Sequence, residues 1–271
     1  MPVMQASKSA STTKPPAWYT QQVRNSYLAM AVVGVVLVWS TFGTELSPGK
    51  LWQGLGASAR FLTEFFPPDF TRLSDYLAAM VETIKMAVWG TTLALLASVP
   101  LSFLAAHNTS PNRGVYQLTR RVMDVFRGVN EFVLALIFVA ALGLGPFPGI
   151  MALTVHTTGT LVKLFSEAIE LVDAGQVEAV KAAGASPIQV ITHAYWPQIV
   201  PTVLSMTLYR FEANVRGATV LGLVGAGGIG LYITEAIRGF NFQAAGAIII
   251  VVLLSVFLVD FLSAKVREWL S

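Results

Sequence analysis

Long apolar runs, parted by short charged or glycine- and proline-bearing segments, dominate the chain. They predict membrane-crossing helices near residues 25–43, 81–106, 129–145, 148–170, 194–216 and 243–264. Each run approaches the roughly 20 residues that about 30 Å of hydrocarbon requires of a helix. The opening stretch, MPVMQASKSASTTKPPA, breaks the pattern. It is polar, small and proline-containing, and buries too little apolar surface to offset the entropy of ordering. Residues 1–24 are therefore expected to form a flexible tail, and residues 25–271 a single transmembrane domain. No small-residue cleavage site follows the apolar run from Tyr27 to Phe42, which reads as a retained first span rather than a signal peptide.

Charge between the runs orients them. Residues 44–80 carry Lys50, Arg60 and Arg72 against Glu45, Glu64, Asp69 and Asp75, with no basic excess, and are placed outside. Within them Leu51, Leu55, Leu62, Phe65 and Phe66 recur at helical spacing before Pro67 and Pro68, as in an interfacial helix. Between the second and third runs Arg113, Arg120, Arg121 and Arg127 face only Asp124, an excess that marks the cytoplasmic side. Lys14 and Arg24 before the first run, and Lys265 and Arg267 after the last, put both termini in the cytoplasm, which fits six spans. Gly143 to Gly149 is short enough only for a tight turn. No internal repeat is apparent, which weakens readings built on inverted halves.

Composition agrees: 54% hydrophobic and 12% charged residues do not cover a soluble globule. The chain is expected to be an all-α integral membrane protein. With no cysteine and three scattered histidines, thiolate chemistry and a clustered metal site are not expected, and a net charge of +3 does not suggest a nucleic-acid partner.

Gln176 to Pro197 is too polar to span and too rich in helix formers to be a plain loop. Glu178, Ala179, Ala182 and Ala183 favour helix. Gly184 supplies a helix end, and Ser186, Pro187 and Gln189 an N-cap, first-turn proline and capping-box partner for a second helix. Ala182, Ala183, Gly184 and Ala185 leave a nearly bare surface that another protein can approach closely. The order Glu178-Ala179-Val180, three residues, Gly184, then Pro197 resembles the EAA loop of ABC-importer permeases, with Val180 in place of the usual alanine and Ala194 where isoleucine is frequent. That resemblance implies a type I ABC importer permease fold. It also implies a coupling segment, residues 175–193, that docks on an ATPase subunit through Glu178, Ala179, Ala182 to Ala185, Ser186 and Pro187.

Two further stretches, Leu142 to Glu170 and Leu208 to Gly230, are similar to the phosphonate (phosphonate/phosphite) branch of these permeases, with likeness extending over about residues 60–265. The words that carry it are FPPDF at 66–70, HTTGTLVKLF at 156–165 and LYRFE at 208–212. Read from the residues alone, Arg210, Glu212, Asn214 and Arg216 fall in an apolar run, where ionisable groups face partners or a water-filled path. Arg210 and Arg216 suit a dianion, yet Glu212, Glu131 and Glu167 are at hand to neutralise them. His156, Thr157, Thr158 and Thr160 either line a path or glue helices together. The glycines from Gly222 to Gly230 lack the strand and the Lys-Ser or Lys-Thr of a nucleotide loop, and predict a bent or re-entrant segment.

No enzyme constellation appears. A secondary transporter leaves the EAA-like segment unexplained, and a methionine-type importer is the main alternative on the substrate side. The resemblance implies an importer subunit of the bacterial cytoplasmic (inner) membrane, multi-pass, translocating phosphonate, phosphite or phosphate. Its partners are then an ABC ATPase dimer that binds ATP and Mg, a periplasmic phosphonate-binding protein, and a second permease copy.

Overall fold

A computed structural model describes residues 17–44 and 47–270. The tail expected over residues 1–24 falls mostly outside the described residues, as do Lys14 and Glu45. No strand occurs among the described residues, and the expected all-α class is what is found.

Two compact units divide the chain at residues 61 and 62. In the first, α1 (Ala17–Thr41) is apolar on every side: Val32, Val33, Val35, Val36, Leu37 and Val38 are all exposed. None of the window from Gln21 to Thr41 is buried, so this helix is suited to a bilayer and not to a protein core. It ends in Ser40, Thr41 and Thr44, whose hydroxyls donate back to the carbonyls of Leu37, Val38 and Ser40. Next comes α2 (Pro48–Thr63), where an interfacial helix is expected over residues 50–66.

The second unit is a helical bundle of α3 (Leu73–Ala105), α4 (Arg113–Gly128), α5 (Glu131–Leu142), α6 (Pro146–Glu170), α7 (Ala174–Ala182), α8 (Pro187–Val190), α9 (Trp196–Leu221), α10 (Ile229–Arg238) and α11 (Phe242–Leu270). At its centre lies α6, packed by α3, α4, α5 and α9. Small residues let these helices approach. A Cβ built on Gly159 of α6 would sit 2.5 Å from the Arg127 amide nitrogen and 2.8 Å from the Met123 carbonyl oxygen, so α4 crosses there backbone to backbone. Apolar side chains fill the rest, with Phe165, Met80, Met86, Leu153 and Leu161 fully enclosed.

Six spans are expected, and among the described residues the helices are divided differently. Three helices are long and apolar enough to cross a membrane, Gln21–Thr41, Leu73–Ala105 and Phe242–Trp269, or up to five if two bent pairs each count as one span. The stretch at 129–145 yields only the 12 residues of α5, joined at 87° to α4, an amphipathic helix that stands where a cytoplasmic loop is expected. At 25 residues α6 is long enough, but Lys163, Glu167, Glu170 and its threonines dilute its apolar content. The physical reason is its central place: a helix wrapped by protein needs polar partners more than a lipid-facing surface. At the other end of the bundle, α3 begins at Leu73, eight residues ahead of the apolar run at 81.

Candidate functional site

Two regions hold the residues singled out by sequence. The first is the segment between α6 and α9. Asp173 caps α7 by accepting from the Gly175 amide at 2.8 Å. At Gly184 the backbone turns to a φ of 83°, a left-handed conformation that glycine adopts without strain. Ser186 and Gln189 then close a reciprocal capping box at the start of α8: the Ser186 amide donates to Gln189 Oε1 at 2.8 Å, and the Gln189 amide to Ser186 Oγ at 3.5 Å. The two short helices meeting near Gly184 are thus as the sequence indicates.

This segment is anchored from below. Val177, Val190, Ala194 and Tyr195 are buried in one cluster with Leu161, Phe165, Ile169 and Ile199 of α6 and α9. The Asp173 amide donates to Gln198 Oε1, tying the entrance of α7 to α9. On the other side Glu178, Ala179, Ala182, Ala183, Gly184, Ser186 and Pro187 are exposed and Ala185 is half-buried. A Cβ on Gly184 would meet nothing within 4 Å, and Ile188 stands 73% exposed beside it. The outer face is bare backbone and small side chains, held rigidly over a packed floor. From α8 the helix passes through a π turn, Ile191–Tyr195, directly into α9.

The second region is a polar seam inside the bundle. Thr157 of α6 donates to Asn214 Oδ1 at 2.9 Å, and Asn214 Nδ2 donates to Thr91 Oγ1 of α3 at 2.8 Å. All three are buried, so this relay fastens α3, α6 and α9 at one level. Thr158 donates back to the Thr154 carbonyl, and Thr160 to that of His156. Of the hydroxyls picked from the sequence, Thr157 is committed to helix packing and opens onto no surface of this protomer. His156 places Nδ1 2.9 Å from the Val129 carbonyl and Nε2 3.4 Å from Glu131 Oε2.

The ion pairs differ from those expected. Glu167 pairs with Lys163 on its own helix at 3.0 Å. Arg216 places one guanidinium nitrogen 2.9 Å from both oxygens of Asp260. Glu212, almost fully buried, accepts from Arg267 at 2.8 Å. Both new partners come from α11 and lie 44 and 55 positions away, a separation that no local pattern reveals. Among the described residues Arg210 has no such partner, and its Nε is enclosed without a hydrogen bond.

Beyond α9 the glycine-rich stretch is a tight kink. A Cβ on Gly222 would lie 2.5 Å from the Cα of Gly230. The Gly228 amide donates to Glu82 at 3.0 Å and the Ile229 amide to Thr83 at 2.9 Å, so side chains of α3 already satisfy the start of α10.

Residues 98–270 match the family described as binding-protein-dependent transport system inner membrane component. This chain belongs to that family. The transport component is 40% identical over 237 residues, 88% of its own length and 86% of the relative's, to the phosphite transport system permease protein PtxC of Stutzerimonas stutzeri. It is 39% identical over 83% of its length to the phosphate-import permease protein PhnE of Mycolicibacterium smegmatis, of which it covers 42%. Among solved structures, an inward-facing form of the MetNI methionine ABC transporter aligns with 75% of the transport component and 99% of the matched chain, at 18% identity and a TM-score of 0.67. That likeness shows the fold alone.

Proposed function

We propose that this chain is the transmembrane permease subunit of an ATP-driven importer, passing phosphonate or a related phosphorus oxyanion, phosphite or phosphate, across the cytoplasmic membrane by alternating access. The observation that carries the reading is likeness to a phosphite transport permease, 40% identity over 88% of this chain and 86% of the relative. A polar seam with an uncommitted arginine inside an apolar bundle supports it, since such a group is costly in a membrane unless it serves a path or a partner.

In this reading six membrane passages leave both termini in the cytoplasm of a bacterial inner membrane. A second permease copy completes the pore about a two-fold axis. ATP and magnesium belong to an ABC ATPase dimer, and the solute arrives on a periplasmic phosphonate-binding protein. The segment 175–193 docks on the ATPase. Glu178, Ala179, Ala182, Ala183, Gly184, Ala185, Ser186 and Pro187 form its contact face, and its rigid floor passes nucleotide-driven closure to α9. His156, Thr158 and Arg210 line the solute's route, while Thr157, Glu212 and Arg216 hold the helices that carry them.

The test is ATP hydrolysis by the reconstituted permease–ATPase complex with its binding protein, across phosphonates, phosphite, phosphate, methionine and glycine betaine. Stimulation by a phosphorus oxyanion is the expected result. Stimulation by methionine alone retains the importer and overturns the solute, and failure to recruit an ATPase overturns both.

A further inference from the structure

Where α5, α6 and α9 meet, the Glu131 carboxylate faces His156 without closing into a tight pair, and Arg210 of α9 lies within electrostatic reach of Glu131. Glu131 sits in the first turn of α5, where Asn130 caps the helix and the helix dipole favours a negative charge. Its Oε1 lies over the bare face of Gly217: a Cβ there would be 3.3 Å away. Its Oε2 stands 3.4 Å from His156 Nε2, longer than a charge-assisted hydrogen bond. The opposite ring nitrogen, Nδ1, faces the Val129 carbonyl at 2.9 Å. A carbonyl only accepts, so Nδ1 carries a hydrogen, and Nε2, the nitrogen directed at Glu131, engages a carboxylate or an oxyanion only when it carries one too.

Arg210 precedes Gly217 by seven residues and so occupies the same face of α9. Neighbouring carboxylates are committed elsewhere, Glu212 to Arg267 and Asp260 to Arg216. Glu131 acts on Arg210 only through space, and the enclosed Nε has no acceptor.

We propose that Arg210 and His156 form a station for a phosphorus oxyanion and that Glu131 is its resident counter-anion, displaced when the solute arrives. This rests on the reading of the chain as an oxyanion permease. A planar guanidinium with a free Nε suits two oxygens of a tetrahedral anion, and the imidazole supplies a second direction of approach. Glu131, loosely held and partly exposed, is a weak competitor for both. Its carboxylate keeps the empty station from filling with ambient anions, and its return favours release of the solute.

The experiment measures binding of methylphosphonate to the detergent-solubilised permease–ATPase complex by its rise in melting temperature, which ligand linkage relates to affinity. Expected are a small rise for the wild type, a larger one for Glu131→Gln corresponding to several-fold tighter binding, and none for Arg210→Gln or the double variant. Glu131→Asp, keeping the charge, should match the wild type. Recovery of each variant with bound ATPase establishes folding. Equal shifts in wild type, Glu131→Gln and Arg210→Gln overturn the station, as does weaker binding by Glu131→Gln. In parallel, the wild type with its binding protein is assayed for methylphosphonate uptake. Failure there overturns the oxyanion reading itself, whereas uptake with indifferent variants overturns only the station.

Discussion

Arg216 of α9 and Asp260 of α11 face each other with a single guanidinium nitrogen 2.9 Å from both carboxylate oxygens. One level further along, Glu212 and Arg267 join the same two helices. Together they make α11 an electrostatic partner of α9 and not merely a lipid-facing strut. Both side chains of the first pair are nearly half exposed, which limits its strength. A double-mutant cycle of Arg216→Gln and Asp260→Asn, read by thermal melting, should give a coupling of about 0.5–1 kcal/mol. Additive single effects would mean that the pair does not bind the helices.

Asn214 is the middle of a buried three-residue relay, so Asn214→Leu removes the acceptor of Thr157 and a donor to Thr91. Thr91 still donates to the Ala87 carbonyl at 2.7 Å, so the loss falls mainly on Thr157. Melting should register roughly 1–3 kcal/mol of destabilisation, and Thr157→Val on that background should recover part of it. No recovery would place the cost elsewhere.

Gly159→Val inserts atoms where the α4 backbone already lies, and neither backbone atom has a rotamer to retreat to. Loss of more than about 2 kcal/mol, or of folded protein from the membrane, is expected. Gly34→Ala in α1, where a Cβ meets nothing within 4 Å, serves as control and should be silent.

Gly184→Val strains the backbone and adds bulk to the exposed face at once. Within this chain its Cβ touches nothing, and the left-handed φ of 83° alone costs about 1–3 kcal/mol. Together with Glu178→Ala, it should abolish uptake and leave ATP hydrolysis uncoupled while membrane insertion persists. Unchanged uptake in both variants would overturn the docking role.

Much of this was legible from local chemistry. The helix–turn–helix at 174–190 follows from a capping box, a first-turn proline and a glycine, all readable within a dozen residues. α4 was not, because its four arginines look like loop charge when the buried Met123 stripe is not seen in three dimensions. The bundle's interior escaped for the same reason. Glu131 and Glu212 were visible as carboxylates near arginines, but choosing Asp260 and Arg267 as partners requires knowing that α11 lies against α9. The span expected at 148–170 coincides with α6, Pro146–Glu170, whereas the sharp bend between α4 and α5 left no mark in hydropathy.

The π turn between α8 and α9 has a mechanical meaning. Val190, Ile191, Tyr195 and Trp196 all keep right-handed helical backbone, so the chain never breaks between the capping box and Leu221. At 1.5 Å per residue this makes a connecting rod on the order of 50 Å long. Its outer tip is the exposed α8, and Arg210 rides two-thirds of the way along. A displacement imposed at the tip would travel along continuous helical backbone, and the places where that backbone can bend, the π turn and Pro201, both lie between the tip and the arginine.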